Sequence, residues 1–186
     1  MTLPISRRWI ALLASTALLV LGFFATSTIA AHPANAATTC SQGYLPLPDP
    51  SCQPGATYSV VTQSTINSTI CVSGWTATVR PPSSYTTALK ITQIAQYGYS
   101  DTSTSDYEED HLIPLELGGN PTSALNLWPE PHSGIAGVSS TGSSTSKDSV
   151  ENKLKKAVCA GTVTLAAART DIAQDWRTAL AKLGLS

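Results

Sequence analysis

Four cysteines behind an export signal constrain this chain more than any other feature. They are Cys40, Cys52, Cys71 and Cys159. An even number of cysteines in an exported chain implies two disulfides, because an oxidising compartment preserves them. The expected pairing is Cys40–Cys52, which closes a local Pro-rich loop, and Cys71–Cys159, which ties the early half to the late half. Three pairings are possible and the sequence alone does not choose among them. A structural zinc site is the rival use of four cysteines, but no C-x-x-C pair is present.

The export signal occupies residues 1–36. Arg7 and Arg8 form a basic start, an apolar run follows from Trp9 to Phe24, and Ala34-Asn35-Ala36 reads as a cleavage site. A retained membrane anchor is the alternative, since the run is roughly long enough to span. The small residues around the A-x-A site favour cleavage, with a mature chain from Ala37 and no membrane association afterwards. That chain has about 150 residues, enough for one domain with a modest core. Cleavage removes two arginines, so Lys+Arg falls from 11 to 9 against 12 Asp+Glu and the net charge goes from -1 to -3. A mildly acidic protein does not advertise a nucleic-acid partner, so any such partner needs a local basic face.

Residues 37–57 form a Pro-rich arm, extended around Leu45-Pro46-Leu47-Pro48-Asp49-Pro50 and held by its cysteines. A single domain then covers residues 58–186. Tyr58-Ser59-Val60-Val61 has strand chemistry. Thr62 to Val72 suits a short helix or a strand, and Gly74 as a C-cap tips the reading to helix. Trp75 to Val79 alternates weakly until Arg80-Pro81-Pro82 stops it. A helix capped by Ser84 or Thr86 presents Leu89, Ile91, Ile94 and Tyr97 and ends at Gly98. Gly137 to Ser146 reads as a mobile Gly/Ser/Thr loop. Ser146 then caps a helix from Lys147 to about Val158, with Val150, Leu154 and Ala157 buried and Glu151–Lys155 paired outside. Thr164 caps a last helix at about 164–183 whose stripe is Leu165, Ala168, Ile172, Trp176, Ala179 and Leu183.

The chemistry concentrates between these elements, in Asp110-His111-Leu112-Ile113-Pro114-Leu115-Glu116-Leu117-Gly118-Gly119 and Asn126-Leu127-Trp128. Gly118-Gly119-Asn120-Pro121 is strong turn punctuation. The reading is a bent hairpin, its first strand ending near His111 and its second near Trp128. A carboxylate and an amide oxygen beside an imidazole suit metal-assisted phosphodiester hydrolysis, with the imidazole taking a proton from water. No H-E-x-x-H pair supports a peptidase-type metal hydrolase.

This stretch resembles the HNH, or ββα-metal, endonuclease motif, in which Asp-His precedes an apolar-x-Pro segment, a Gly-Gly turn and an Asn-Leu. Through Trp128-Pro129-Glu130-Pro131 and Lys147-Asp148…Glu151-Asn152 it looks like exported bacterial proteins grouped with those nucleases. The resemblance covers Tyr107 to about Cys159. It implies an α+β fold with a small ββα unit at about 107–159, framed by further helices and stapled by disulfides. It implies a secreted hydrolase cutting phosphodiester bonds in DNA, with RNA also open, using Mg2+, Mn2+ or Zn2+. His111 would be the general base, Asp110 a metal ligand, and Asn126 either the residue that orients the base or a second ligand. The family's helix histidine is missing. His132 is the candidate in its place, with Asp148, Glu151 or Asn152 on the helix as substitutes. No obligate protein partner is evident. The alternative is a non-catalytic exported binding or scaffold module that retains the fold.

Overall fold

The computed structural model describes residues 39–185. The export signal and its cleavage site lie outside the described residues. The fold is α+β: helices α1 (Trp75–Val79) and α2 (Ser83–Tyr97), strands β1 (Tyr107–His111) and β2 (Leu127–Pro131), then helices α3 (Ser144–Cys159) and α4 (Leu165–Lys182). The two strands pair antiparallel, with Glu108 opposite Glu130 and Asp110 opposite Trp128. The second strand therefore begins at Leu127 rather than ending near Trp128. No described helix is long and apolar enough to cross a membrane.

Two apolar clusters hold the framework. The larger lies between α3 and α4, where Val150, Leu154, Ala157, Leu165, Ala168, Ile172, Trp176 and Ala179 meet Ile66, Ile70, Ile113 and Leu117. The expected α4 stripe is thus the buried face, and the Thr164 side chain accepts from the Ala167 amide as its cap. The smaller cluster is aromatic: Tyr97, Tyr99, Tyr107 and Trp128 with Ile94 and Cys40. Cys40–Cys52 and Cys71–Cys159 are the two disulfides. The Pro-rich arm docks on the end of α2, where the Asp49 amide donates to the Tyr97 hydroxyl at 3.0 Å and Gln42 Nε2 donates to the Tyr97 carbonyl at 2.9 Å.

Several local expectations give way. Tyr58 to Val61 forms no strand; Thr57 makes a single bridge to Gly119. Thr62 to Val72 is a chain of turns around a single 3-10 turn, Ile66–Ser68. Hydroxyls there compete with a helix for the backbone: Thr65 Oγ1 donates to the Val60 carbonyl at 2.8 Å and Thr69 Oγ1 to the Thr65 carbonyl at 2.7 Å. Gly74, at φ 77°, precedes helix α1 instead of closing one, and Trp75 to Val79 is helical. α2 is capped by Pro82, two residues before the nearer of the expected caps, and buries Gln93 while Ile91 stays exposed.

The largest change is at α3. It begins at Ser144, three residues before the expected start, after two 3-10 turns that bury Val138, Ser143 and Ser144. This places Lys147 in its first turn, facing inward. Glu151 accordingly pairs with Lys147, and Lys155 reaches Glu116 at 3.3 Å instead of Glu151.

Candidate functional site

Side chains alternate across β1, so Glu108 and Asp110 face one way and Glu109 and His111 the other. The first pair meets α3. There the Lys147 ammonium, 1% exposed, donates to Asp110 Oδ2 at 2.7 Å, Glu151 Oε1 at 2.6 Å and the His111 carbonyl at 2.8 Å. The Trp128 indole N–H also donates to Asp110 Oδ2, at 3.3 Å. Burial opposes the charge on Lys147, but Asp110, Glu151 and Glu130 more than offset it and push its pKa up, so it stays an ammonium. Glu130 is fully buried and neither of its oxygens receives a protein hydrogen bond. Burial and the Asp110 charge hold it well above the usual carboxylate range, while Lys147 pulls the other way. Burial likewise raises Glu151 to about 7, with Lys147 pulling against it.

The other face of β1 borders a groove of about 540 Å³ lined by Arg80, Ser83, Lys90, Glu109, His111 and His132 among others. His111 is buried, and its Nε2 lies 3.1 Å from the Pro121 carbonyl. A carbonyl only accepts, so Nε2 carries the proton and Nδ1 keeps its lone pair. Burial holds the imidazole below its ordinary pKa, against the opposing pull of Pro121 and Asp110. Glu109 is pushed up to about 8 by burial, and both its oxygens lack a protein donor. Lys90 donates to the Thr104 and Tyr107 carbonyls at 3.0 and 2.7 Å. Arg80 is exposed, and among the described residues no protein acceptor receives its guanidinium.

Asn126 is fully buried and works on the turn. Its Oδ1 accepts from the Ile113 amide at 3.0 Å and the Ala56 amide at 3.4 Å, and its Nδ2 donates to the Ile113 and Asn120 carbonyls at 3.0 and 3.2 Å. The Gly118-Gly119 pair makes this possible. A Cβ on Gly119 would overlap the Ile113 carbonyl, and Gly118 sits at φ 69°. Arg169 of α4 ties down the same turn, donating to the carbonyls of Leu117 at 2.7 Å, Val61 at 3.0 Å and Gly118 at 3.2 Å.

Of the residues singled out in the sequence, Asp110 and Glu151 converge on Lys147, whereas His111 brings only its backbone carbonyl there and its imidazole faces the groove. His132 lines the groove, but its amide pairs with Asp106, four residues along from Asp110 and about 13 Å away at strand spacing. Its Nδ1 lies 3.2 Å from Ser144 Oγ. Asp148 and Asn152 are exposed on α3, and Asn152 Nδ2 donates to the Asp148 carbonyl. Asp110, Asn126 and His132 are therefore not brought together as one ligand set, and among the described residues no group of three or more His, Cys, Asp or Glu is placed to hold a metal ion. An ammonium stands between the two carboxylates that do meet, so the residues present do not fit a divalent ion at Asp110. Sequence reasoning missed Glu130 and Arg80, and it read Lys147 as a surface lysine that meets phosphate or solvent, whereas it is buried. The Lys147–Glu151 spacing of four was the one available signal.

In comparisons with known proteins, no family model, no curated protein and no solved structure matches this chain.

Proposed function

We propose that the groove is the active site of an exported endonuclease of HNH type, hydrolysing phosphodiester bonds in DNA with His111 as general base. One observation carries the reading: His111 is a buried, neutral imidazole whose tautomer is fixed by the Pro121 carbonyl, at the edge of a groove that also holds the unpaired Arg80. In this scheme the Nδ1 lone pair takes a proton from water as the water oxygen attacks phosphorus. The bond from phosphorus to the sugar oxygen breaks, and that oxygen takes a proton from solvent in the open groove. Arg80 pairs with the non-bridging oxygens, for which its planar fork is suited. Asn126 acts as a positioning residue, since it holds the Ile113 backbone two residues from the base. The two disulfides suit the oxidising surroundings that an exported protein meets.

The test is plasmid nicking by oxidised protein beginning at Ala37, with Mg2+, Mn2+, Zn2+ or EDTA, beside His111→Ala. The reading expects nicking that falls by about 10²- to 10⁴-fold in the variant, the range for a lost general base. Folded protein that nicks neither duplex nor single-stranded DNA in any of these conditions sinks it. The acidic excess would then favour the binding or scaffold module. Nicking that survives His111→Ala would move the active site elsewhere.

A further inference from the structure

An ammonium has three protons, and all three of Lys147 are spoken for: Asp110 Oδ2, Glu151 Oε1 and the His111 carbonyl lie 2.6–2.8 Å from Nζ. We propose that Lys147 is the built-in cation of the hairpin–helix junction, occupying the place between Asp110 and Glu151 that a divalent ion would need. The inference rests on the HNH-type reading for the idea that a cation belongs there; the geometry is independent of it.

Three observations support it. Lys147 is 1% exposed, so no water shell competes for its charge. The ammonium also ties the backbone of His111 to α3, linking the neutralised acid to the proposed base. Finally, Glu130 lies within the same cluster, fully buried with both oxygens unpartnered. Without the lysine, Asp110, Glu151 and Glu130 would be a set of hard oxygens of the kind Mg2+, Mn2+ or a lanthanide takes. With it, a second cation a few ångströms from the ammonium meets like-charge repulsion. Lys147 itself cannot touch a substrate, because α3 and β1 enclose it. Its role is to position Asp110 and the end of the strand that carries His111.

The experiment is a titration with Tb3+, read by luminescence sensitised through tryptophan. Trp128 is bonded to Asp110 and so serves as a local donor. Full-length mature protein, Asp110→Asn, Lys147→Ala and the double variant are compared, with Mn2+ competition and thermal melts in Mn2+ and in EDTA. The wild type is expected to give no saturable signal that Asp110→Asn removes, and a melting midpoint that neither Mn2+ nor EDTA moves. Lys147→Ala is expected to gain a saturable, Mn2+-competed signal that the added Asp110→Asn abolishes. Saturable binding by the wild type that Asp110→Asn abolishes would overturn the proposal. So would a folded Lys147→Ala that gains no ion. If Lys147→Ala does not fold, the comparison of wild type with Asp110→Asn decides alone. Binding is read without cleavage, so a protein that never cuts DNA still tests the inference. If the nuclease reading holds, nicking persists in EDTA.

Discussion

Within its five residues β1 faces two environments. On the α3 side, Asp110 is enclosed and hydrogen-bonded by an ammonium and by the indole of Trp128, its cross-strand partner. On the groove side, His111 keeps one nitrogen unpaired, and Glu109 has no donor at all. The closed face has charge matched by charge. The open face has polar groups left for something that is not part of the fold. Adjacent residues of one strand can therefore serve stability and chemistry separately, because the pleat sends them in opposite directions.

The sharpest way to break this contrast is Lys147→Met. Removing one partner of a buried ion pair leaves the other uncompensated, which costs about 3–5 kcal/mol. Urea unfolding should show that loss in full at pH 7. A loss below about 1 kcal/mol, the range of a surface pair, would mean that the closed face is not closed. Asn126→Ala comes next. It strips partners from the Ile113 amide and carbonyl, and should cost about 2–4 kcal/mol by the same assay, at 1–3 kcal/mol for each buried group left unpaired.

The open face should reveal itself through pH. The His111 pKa lies below its unfolded value of 6.5, so the stability it leaves intact above that value is lost as pH falls. In nicking, the acid limb of the rate profile should sit below 6.5; a limb above it would argue against a buried neutral base. Glu109 acts in the opposite sense. Its folded pKa of about 8 lies above the ordinary 4.5, so the stability it contributes below 4.5 is lost as pH rises towards 8. Glu109→Gln should therefore melt higher than wild type at pH 9 and the same at pH 4. This is the smallest effect, and equal melting at both pH values would place Glu109 in contact with water.

What the sequence made legible follows the same division. Local patterns were readable: the α4 stripe with its Thr164 cap, the strand ending at His111, and the Gly-Gly turn all depend on neighbours within a few residues. The disulfide partners were readable as one of three choices. Lys147 was not, because a lysine in Ser146-Lys147-Asp148-Ser149 looks solvated. Its burial is decided by Asp110, 37 residues earlier, and by a helix start three residues ahead of the expected one. Asn126 was legible as a site residue but not in its bonding, since its partners at Ala56 and Ile113 lie far apart in the chain. The mixed α+β character was therefore open to sequence reasoning, while the chemistry of Asp110 required the packed structure.

The guanidinium of Arg169 joins segments that are far apart in the chain. Two carbonyls of the turn behind His111, Leu117 and Gly118, and that of Val61 reach their donor only in α4, more than 50 residues further on. A chain emerging from the ribosome or across a membrane has its hairpin long before it has that donor. The turn that follows the strand of His111 is thus fastened by the last helix to arrive, and a product ending before Leu165 would leave the Leu117 and Gly118 carbonyls without this donor.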